Sequence, residues 1–288
     1  MEAMFCAGNE PERSDLLVAL SFAVGFVGAR FLLDNLMFKR LARRLLMKGV
    51  AKVAVDDAKQ SKIVKCSESM WKLTYYASVQ LWVISILQQE AWSTDTNQYF
   101  RGWPNQELKC SLKLFYMCQC GFYMYSIAAL LTWETRRKDF SIMMSHHIIT
   151  SVLIGYSFFT KFFRIGTVTL ALHDACDVFL EAAKVFKYSE KEMAASTCFG
   201  LFAVSWLVLR LIFFPFWVIK ASSYQFIESL MVLDKFPTGL YYAFNTMLLT
   251  LLVFHVYWWK LICAMIIRQL SNKGQVGEDI RSDSEDGD

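Results

Sequence analysis

The chain has 288 residues, of which 55% are apolar, and its formal net charge is +4. This apolar share lies above the range of ordinary soluble domains, and the weak, dispersed positive charge argues against a nucleic-acid-binding protein. Only four prolines and thirteen glycines interrupt the chain, and apolar stretches of about twenty residues recur, the length that a helix needs to cross a bilayer. The composition therefore predicts an all-α polytopic membrane protein.

Charged clusters separate seven apolar segments along the chain. The predicted spans cover residues 16–38, 71–87, 112–133, 140–159, 165–186, 194–219 and 240–267. Basic residues follow the first span and recur before the fourth, and the positive-inside rule places both clusters in the cytosol. The alternation predicts a lumenal N-terminus at residues 1–15 and a cytosolic C-terminus.

The segments outside the spans are polar. Residues 39–65 are basic and mildly amphipathic, which predicts a cytosolic linker close to the headgroups. Residues 269–288 form an acidic tail, which is too polar to bury and is predicted to be disordered. The eight cysteines include no CxxC pair and lie mostly in apolar segments, so we expect reduced thiols and no metal site.

The fifth span carries a stripe of ionisable residues. On a helix with a rotation of about 100° per residue, its members fall on one face. They are His173, Asp174, Asp177, Glu181 and Lys184. An ionisable side chain in hydrocarbon costs about 3 kcal/mol even on the mildest scale, so the stripe is predicted to face the interior of the protein and to be functional. Glu181 and Lys184 are most simply an intrahelical ion pair.

Two adjacent histidines, His146 and His147, begin the fourth span. Imidazoles in such a position suit a general base or a nucleophile, and Asp174 or Asp177 could orient one of them as a triad carboxylate does. In contrast, His255 in the seventh span is predicted to be a core residue. Arg210 in the sixth span either pairs with a carboxylate or attracts a phosphate group.

The motifs at these positions resemble a known family. They are Arg-Arg-Lys-Asp-Phe at 136–140, Ser-His-His-Ile-Ile-Thr at 145–150, His-Asp-x-x-Asp-x-x-Leu-Glu-x-x-Lys at 173–184, and Glu-Ser-x-Trp at 68–71. Together they are similar to the Lag1 motif region and the TLC domain of the ceramide synthases, most of all those of plants. The similarity covers residues 66–268, which we therefore predict to be a TLC catalytic domain.

The resemblance implies an endoplasmic-reticulum acyltransferase that joins a fatty acyl group from acyl-CoA to the amine of sphinganine or phytosphingosine. It also implies that spans two to seven form a six-helix barrel with the first span packed outside. The family's catalytic motif maps onto His146, His147, His173, Asp174 and Asp177. No cofactor, metal or nucleic-acid partner is expected. A homo- or heterodimer, or a small regulatory subunit, is left open.

Substrate contacts are predicted at the cytosolic mouth of the barrel. Arg136, Arg137 and Lys138 could hold the CoA phosphates, although topology alone explains them equally well, and Arg210 is a further candidate. The acyl chain would run toward a lumenal floor closed by residues 220–239. Whether a histidine forms an acyl intermediate or acts only as a base is open.

Three other classes compete with this prediction. A non-catalytic lipid-binding or lipid-sensing protein with the same domain is the main alternative, although it would need no histidine pair beside aspartates. A di-iron desaturase needs about eight histidines, whereas this chain has four. A proton-coupled transporter usually shows internal repeats and broken helices, which are not evident here.

Overall fold

A computed structural model of the chain describes residues 10–46, 57–230 and 238–271. Within these ranges it contains helices and no strand. The seven long helices are α1 (Asp15–Leu46), α2 (Asp57–Gln88), α3 (Cys110–Thr132), α4 (Phe140–Phe159), α5 (Phe163–Tyr188), α6 (Glu192–Glu228) and α7 (Thr238–Ser271). Most of the predicted N-terminal segment and nearly all of the acidic tail lie outside the described residues.

Five of the seven helices are long and apolar enough to cross a membrane. These are α1, α3, α4, α6 and α7, and they confirm an all-α protein that passes through the membrane several times. Helices α2 and α5 are equally long but more polar. A helix enclosed by other helices can cross a membrane without being apolar on every side, so α2 and α5 can still be spans. The count of seven spans stays a prediction.

Helix α5, which carries the polar stripe, lies among several neighbours. It packs along α2 on one side and along α6 on another, and it also contacts α3 and α4. Helix α7 packs against α4 and α6. Helix α1 instead packs along α3 and touches α2 near its own C-terminal end. The stripe is therefore surrounded by protein, while α1 lies to one side of the helices that enclose it.

Two polar contacts fix α1 against its neighbours. At its start, the Asp15 carboxylate lies 2.9 Å from the Lys113 ammonium of α3. Further along, Asp34 lies 3.2 Å from Arg30 and 2.8 Å from Lys39, and it accepts a hydrogen bond from the Ser67 hydroxyl of α2. The helix continues through a π-helical turn at Asp34–Phe38 to Leu46. It thus extends beyond the predicted end of the span, into the predicted linker.

The close packing of α1 on α3 depends on a glycine. A Cβ at Gly121 would lie 2.6 Å from the carbonyl oxygen of Ala19 and 2.6 Å from the Cβ of Phe22. We expect Gly121→Ala to lower the free energy of unfolding by about 1–3 kcal/mol, because the two backbones must separate. Thermal unfolding in detergent measures this change. Gly200→Ala is the matched control, since its Cβ would meet nothing within 4 Å; equal midpoints in both variants would contradict the prediction.

One cysteine prediction is wrong. Cys110 takes part in a disulfide bond, whereas the other six cysteines in the described ranges are free thiols. Cys110 is the first residue of α3 and therefore lies at the end of a span rather than within it. The composition of the surrounding segment did not distinguish this position from the buried cysteines.

Candidate functional site

The polar stripe of α5 lies inside the protein, as predicted. His173 and Asp174 are 4% and 1% exposed, and Asp177, one turn further along, is half-buried. The stripe continues to Glu181 and Lys184, whose side chains form the predicted intrahelical pair at 2.6 Å. The structure therefore confirms the inward orientation of this face.

His173 is held through both ring nitrogens. Its Nδ1 lies 2.6 Å from the carbonyl oxygen of Thr169, and its Nε2 lies 3.0 Å from Nε2 of His255. Because a carbonyl only accepts, Nδ1 of His173 carries a hydrogen. When both rings are neutral, His255 must donate from Nε2, and its Nδ1, which is buried without a partner, keeps a free lone pair. His255 thus belongs to the site, whereas the sequence suggested only a core residue.

Arg210 joins α6 to the same face of α5. One of its terminal nitrogens donates to the carbonyl oxygen of His173 at 2.7 Å and to the Asp177 carboxylate at 2.9 Å. The guanidinium also stacks over Trp206, 4.2 Å from the ring centroid. Of the two roles predicted for Arg210, the structure shows the carboxylate pairing. This pairing balances a charge that would be costly to bury alone.

Asp174 faces α3. It accepts a hydrogen bond from the Gln119 amide, whose oxygen accepts the Tyr75 hydroxyl at 3.0 Å. The second carboxylate oxygen of Asp174 is buried without a hydrogen-bond partner. Asp174 therefore bonds to Gln119, and Asp177 bonds to Arg210. These bonds differ from the expected pairing of one of the two carboxylates with an imidazole.

His146 and His147 lie side by side on α4, with ring centroids 5.7 Å apart. His146 meets the Trp258 ring edge to face at 5.2 Å, and the Trp258 indole donates to Asp139 at 3.0 Å. His147 packs against the ring of Tyr123 at 5.6 Å. The Nδ1 atoms of both histidines are buried without a hydrogen-bond partner. These two rings are held by aromatic contacts while a nitrogen on each is left available.

A cavity opens between α3, α4, α5 and α7. Its volume is about 20 Å³. Its walls are mostly apolar, with His173 toward one end and Phe244 toward the other. The lining residues are Tyr123, Thr150, Leu153, Ile154, Ser157, Gly166, Thr169, Leu170, His173, Phe244, Leu248 and Leu251. A space of this size holds one small group, about as large as a water molecule or a hydroxyl group.

Aromatic side chains lie beyond Phe244. The Phe162 ring lies 5.2 Å from Phe244 and 5.0 Å from Phe226. Phe226 belongs to the region predicted to close the floor. Residues 220–228, however, form the helical end of α6 rather than a loop, and residues 231–237 lie outside the described ranges.

The basic residues predicted at the mouth lie just before α4, on the same side of the bundle as the histidine pair. Arg136 and Lys138 are exposed, and Arg137 is half-buried. Beside them, the Lys72 ammonium bridges Glu68 at 3.0 Å and Glu134 at 2.9 Å. The exposed cations are therefore available to an anion, which agrees with either of the two predicted roles.

Several groups in the site were missed by sequence reasoning. They are Tyr75, Gln119, Tyr123, His255 and Trp258. Only His255 gave a signal, because a histidine within an apolar span is costly. The others are ordinary residues of a membrane helix, and only the packing of α2, α3 and α7 around the stripe gives them their partners.

The chain matches known proteins over nearly its whole length. A family model described as the TLC domain matches residues 65–264. The "ASC1-like protein 3" of Oryza sativa subsp. japonica is 67% identical over 277 residues, which are 96% of this chain and 98% of that protein. "Ceramide synthase LOH2" of Arabidopsis thaliana is 58% identical and covers 100% of both chains. "Ceramide synthase 4" of Mus musculus is 37% identical over 78% of this chain and 55% of that protein.

Proposed function

We propose that the histidine pair of this chain is catalytic. The chain belongs to the TLC-domain family and is a ceramide synthase. The chain is thus an acyltransferase whose substrates are an acyl-CoA and a sphingoid base. The observation that supports the role of the pair is the buried, unpartnered Nδ1 on His146 and on His147. The helix that carries them, α4, also supplies Thr150 and Leu153 to the cavity wall. The catalytic set is then His146 and His147, supported by His173, Asp174 and Asp177.

The reaction requires one group to attack the thioester and another to accept protons. One histidine of the pair attacks the carbonyl carbon through a ring nitrogen, and the C–S bond breaks to give an acyl-imidazole and CoA thiolate; the thiolate takes the proton that the other ring nitrogen loses. The second histidine removes a proton from the sphingoid ammonium. The free amine then displaces the imidazole to form the amide, and the leaving imidazole takes the second proton of the amine. The 5.7 Å spacing of the two rings supports this division of roles, since each ring can reach the same reacting group.

The remaining members of the set act through position and charge. His173, with both nitrogens engaged, holds α5, α6 and α7 together through Arg210 and His255. The unpartnered oxygen of Asp174 attracts the cationic amine. Arg136, Arg137 and Lys138 hold the CoA phosphates through charge-assisted hydrogen bonds, and no bound cofactor or metal takes part.

We also propose that the enzyme lies in the endoplasmic-reticulum membrane with its N-terminus in the lumen. The disulfide at Cys110 supports this orientation, because disulfides persist in the lumen and are rare in the cytosol. Cys110 begins α3, whereas Arg136 follows the other end of that helix. The CoA-binding mouth then faces the cytosol, where the positive-inside rule places its basic residues.

The test of this function uses the purified full-length chain. We expect ceramide, detected by mass spectrometry, when the protein is incubated with sphinganine and a panel of acyl-CoAs. The reaction should require both substrates and should release free CoA in equal amount. A folded, lipid-loaded preparation that forms no ceramide from any acyl donor would favour the lipid-binding alternative.

A further inference from the structure

One hydroxyl group in the cavity wall has no hydrogen-bond partner, whereas the hydroxyl groups of nearby residues have one. Ser157 and Thr169, which also line the cavity, donate to the carbonyl oxygens of Ile154 at 3.1 Å and Ile165 at 2.8 Å. Ser151, the next residue along α4, donates to His147 at 2.8 Å. The Thr150 hydroxyl instead is buried without a hydrogen-bond partner.

A buried hydroxyl group in this arrangement costs free energy. A buried hydroxyl without a partner has lost its hydrogen bonds to water and has gained none in return. Thr150 is 5% exposed and lines the cavity, so a group that enters the cavity can reach it. In helices, threonine commonly satisfies its hydroxyl on the carbonyl one turn earlier, and Thr150 leaves that option unused. These observations indicate a polar group on the ligand.

Thr150 lies close to the reacting atoms of the proposed mechanism. It follows His146 by four residues, so the two side chains share a face of α4 about 6 Å apart along the axis. Because Cβ atoms tilt toward the helix N-terminus, the Thr150 side chain leans toward His146. The ligand group that meets Thr150 therefore belongs to the part of a substrate nearest the new amide bond.

The chemistry of the two substrates distinguishes them at this point. An acyl thioester offers one acceptor near the new bond, its carbonyl oxygen, and a hydrogen bond to that atom would assist every amine alike. Beyond the carbonyl, a simple acyl chain offers only methylene groups. A sphingoid base carries hydroxyls on the carbons that flank its amine-bearing carbon. We infer that Thr150 forms a hydrogen bond with one of these flanking hydroxyls and thereby selects amino-alcohol bases over simple amines; this inference rests on the proposed function.

The test compares four amines with palmitoyl-CoA as the donor. They are sphinganine, sphinganine without its terminal hydroxyl, sphinganine without its internal hydroxyl, and octadecylamine, which has neither. We expect Thr150→Val to lower kcat/KM for sphinganine about tenfold or more, because one hydrogen bond is lost in the transition state. For the base that lacks the recognised hydroxyl, and for octadecylamine, variant and wild type should differ little. Thr150→Ser should retain the wild-type preference.

Controls make the result independent of folding. The ratio of kcat/KM for two bases in one preparation does not depend on how much of the protein is active, so partial misfolding leaves it unchanged. Thr250→Val is the matched control, since the Thr250 hydroxyl donates to Thr246 at 2.8 Å and lies outside the cavity lining. An equal loss for all four amines, or no loss for sphinganine, would overturn the role of Thr150. Absence of amide product from wild type with every amine would overturn the proposed function and this inference with it.

Discussion

Replacing His146 or His147 with alanine is expected to lower ceramide formation by about 10³-fold or more. In the proposed mechanism each variant lacks either the nucleophile or the proton acceptor, and a positioned acid or base alone contributes about 10²–10⁴-fold. Initial rates with sphinganine and palmitoyl-CoA, measured by mass spectrometry, give the size of the loss. Because the two residues act on one reaction in sequence, the double variant should be little slower than the slower single variant.

The controls for the histidine variants must show that the protein still folds. Ser145→Ala changes the adjacent residue, whose exposed hydroxyl is bound to the carbonyl of Ser141 within the same helix, and it should keep nearly full activity. Size-exclusion elution and thermal unfolding of the histidine variants should stay close to wild type. Retained turnover in both single variants would remove the pair from the mechanism.

Replacing Arg210 with leucine is expected to lower the free energy of unfolding by about 3 kcal/mol or more. The substitution leaves the Asp177 carboxylate without its cation and removes the donor to the His173 carbonyl. Thermal unfolding in detergent, followed by tryptophan fluorescence, measures the loss. Activity should fall as well, because the α5 stripe loses its attachment to α6.

A double variant separates the ion pair from simple packing. The double variant Arg210→Leu, Asp177→Leu removes both charges, so no buried charge is left without a partner. Much of the lost stability should therefore return, although activity should not. If the double variant were as unstable as Arg210→Leu alone, the cost would arise from the lost Trp206 stacking or from the shape of the helix contact instead.

Helix positions and the inward face of α5 could be predicted from the sequence, since apolar length and the 100° rotation of a helix are local properties. The same rule placed Glu181 and Lys184 in contact. The predicted sixth span ended at residue 219, because the polar residues from Lys220 onward indicated a loop. Helix α6 instead continues to Glu228 through a π-helical turn at Ala221–Gln225.

The partners within the site could not be predicted in the same way. Asp174 could have paired with any polar group on four helices, and it is the packing of α3 against α5 that brings Gln119 to it. His255 looked like an isolated core histidine until α7 placed its Nε2 against His173. Contacts between two helices depend on how each helix is rotated about its axis and how far it is shifted along its neighbour. The apolar pattern of a membrane helix leaves both nearly unconstrained.

The sequence by itself determined the class of the protein, its membrane helices, its family and the residues that carry the family's motif. These follow from composition, periodicity and short motifs, each of which depends on neighbouring residues in the chain. Only the tertiary structure decided which nitrogens and oxygens are satisfied and which are left free. His173 is fully engaged, whereas His146, His147 and Thr150 each keep an unpartnered atom. That distinction arises from hydrogen bonds between helices far apart in sequence, and the proposed mechanism rests on it.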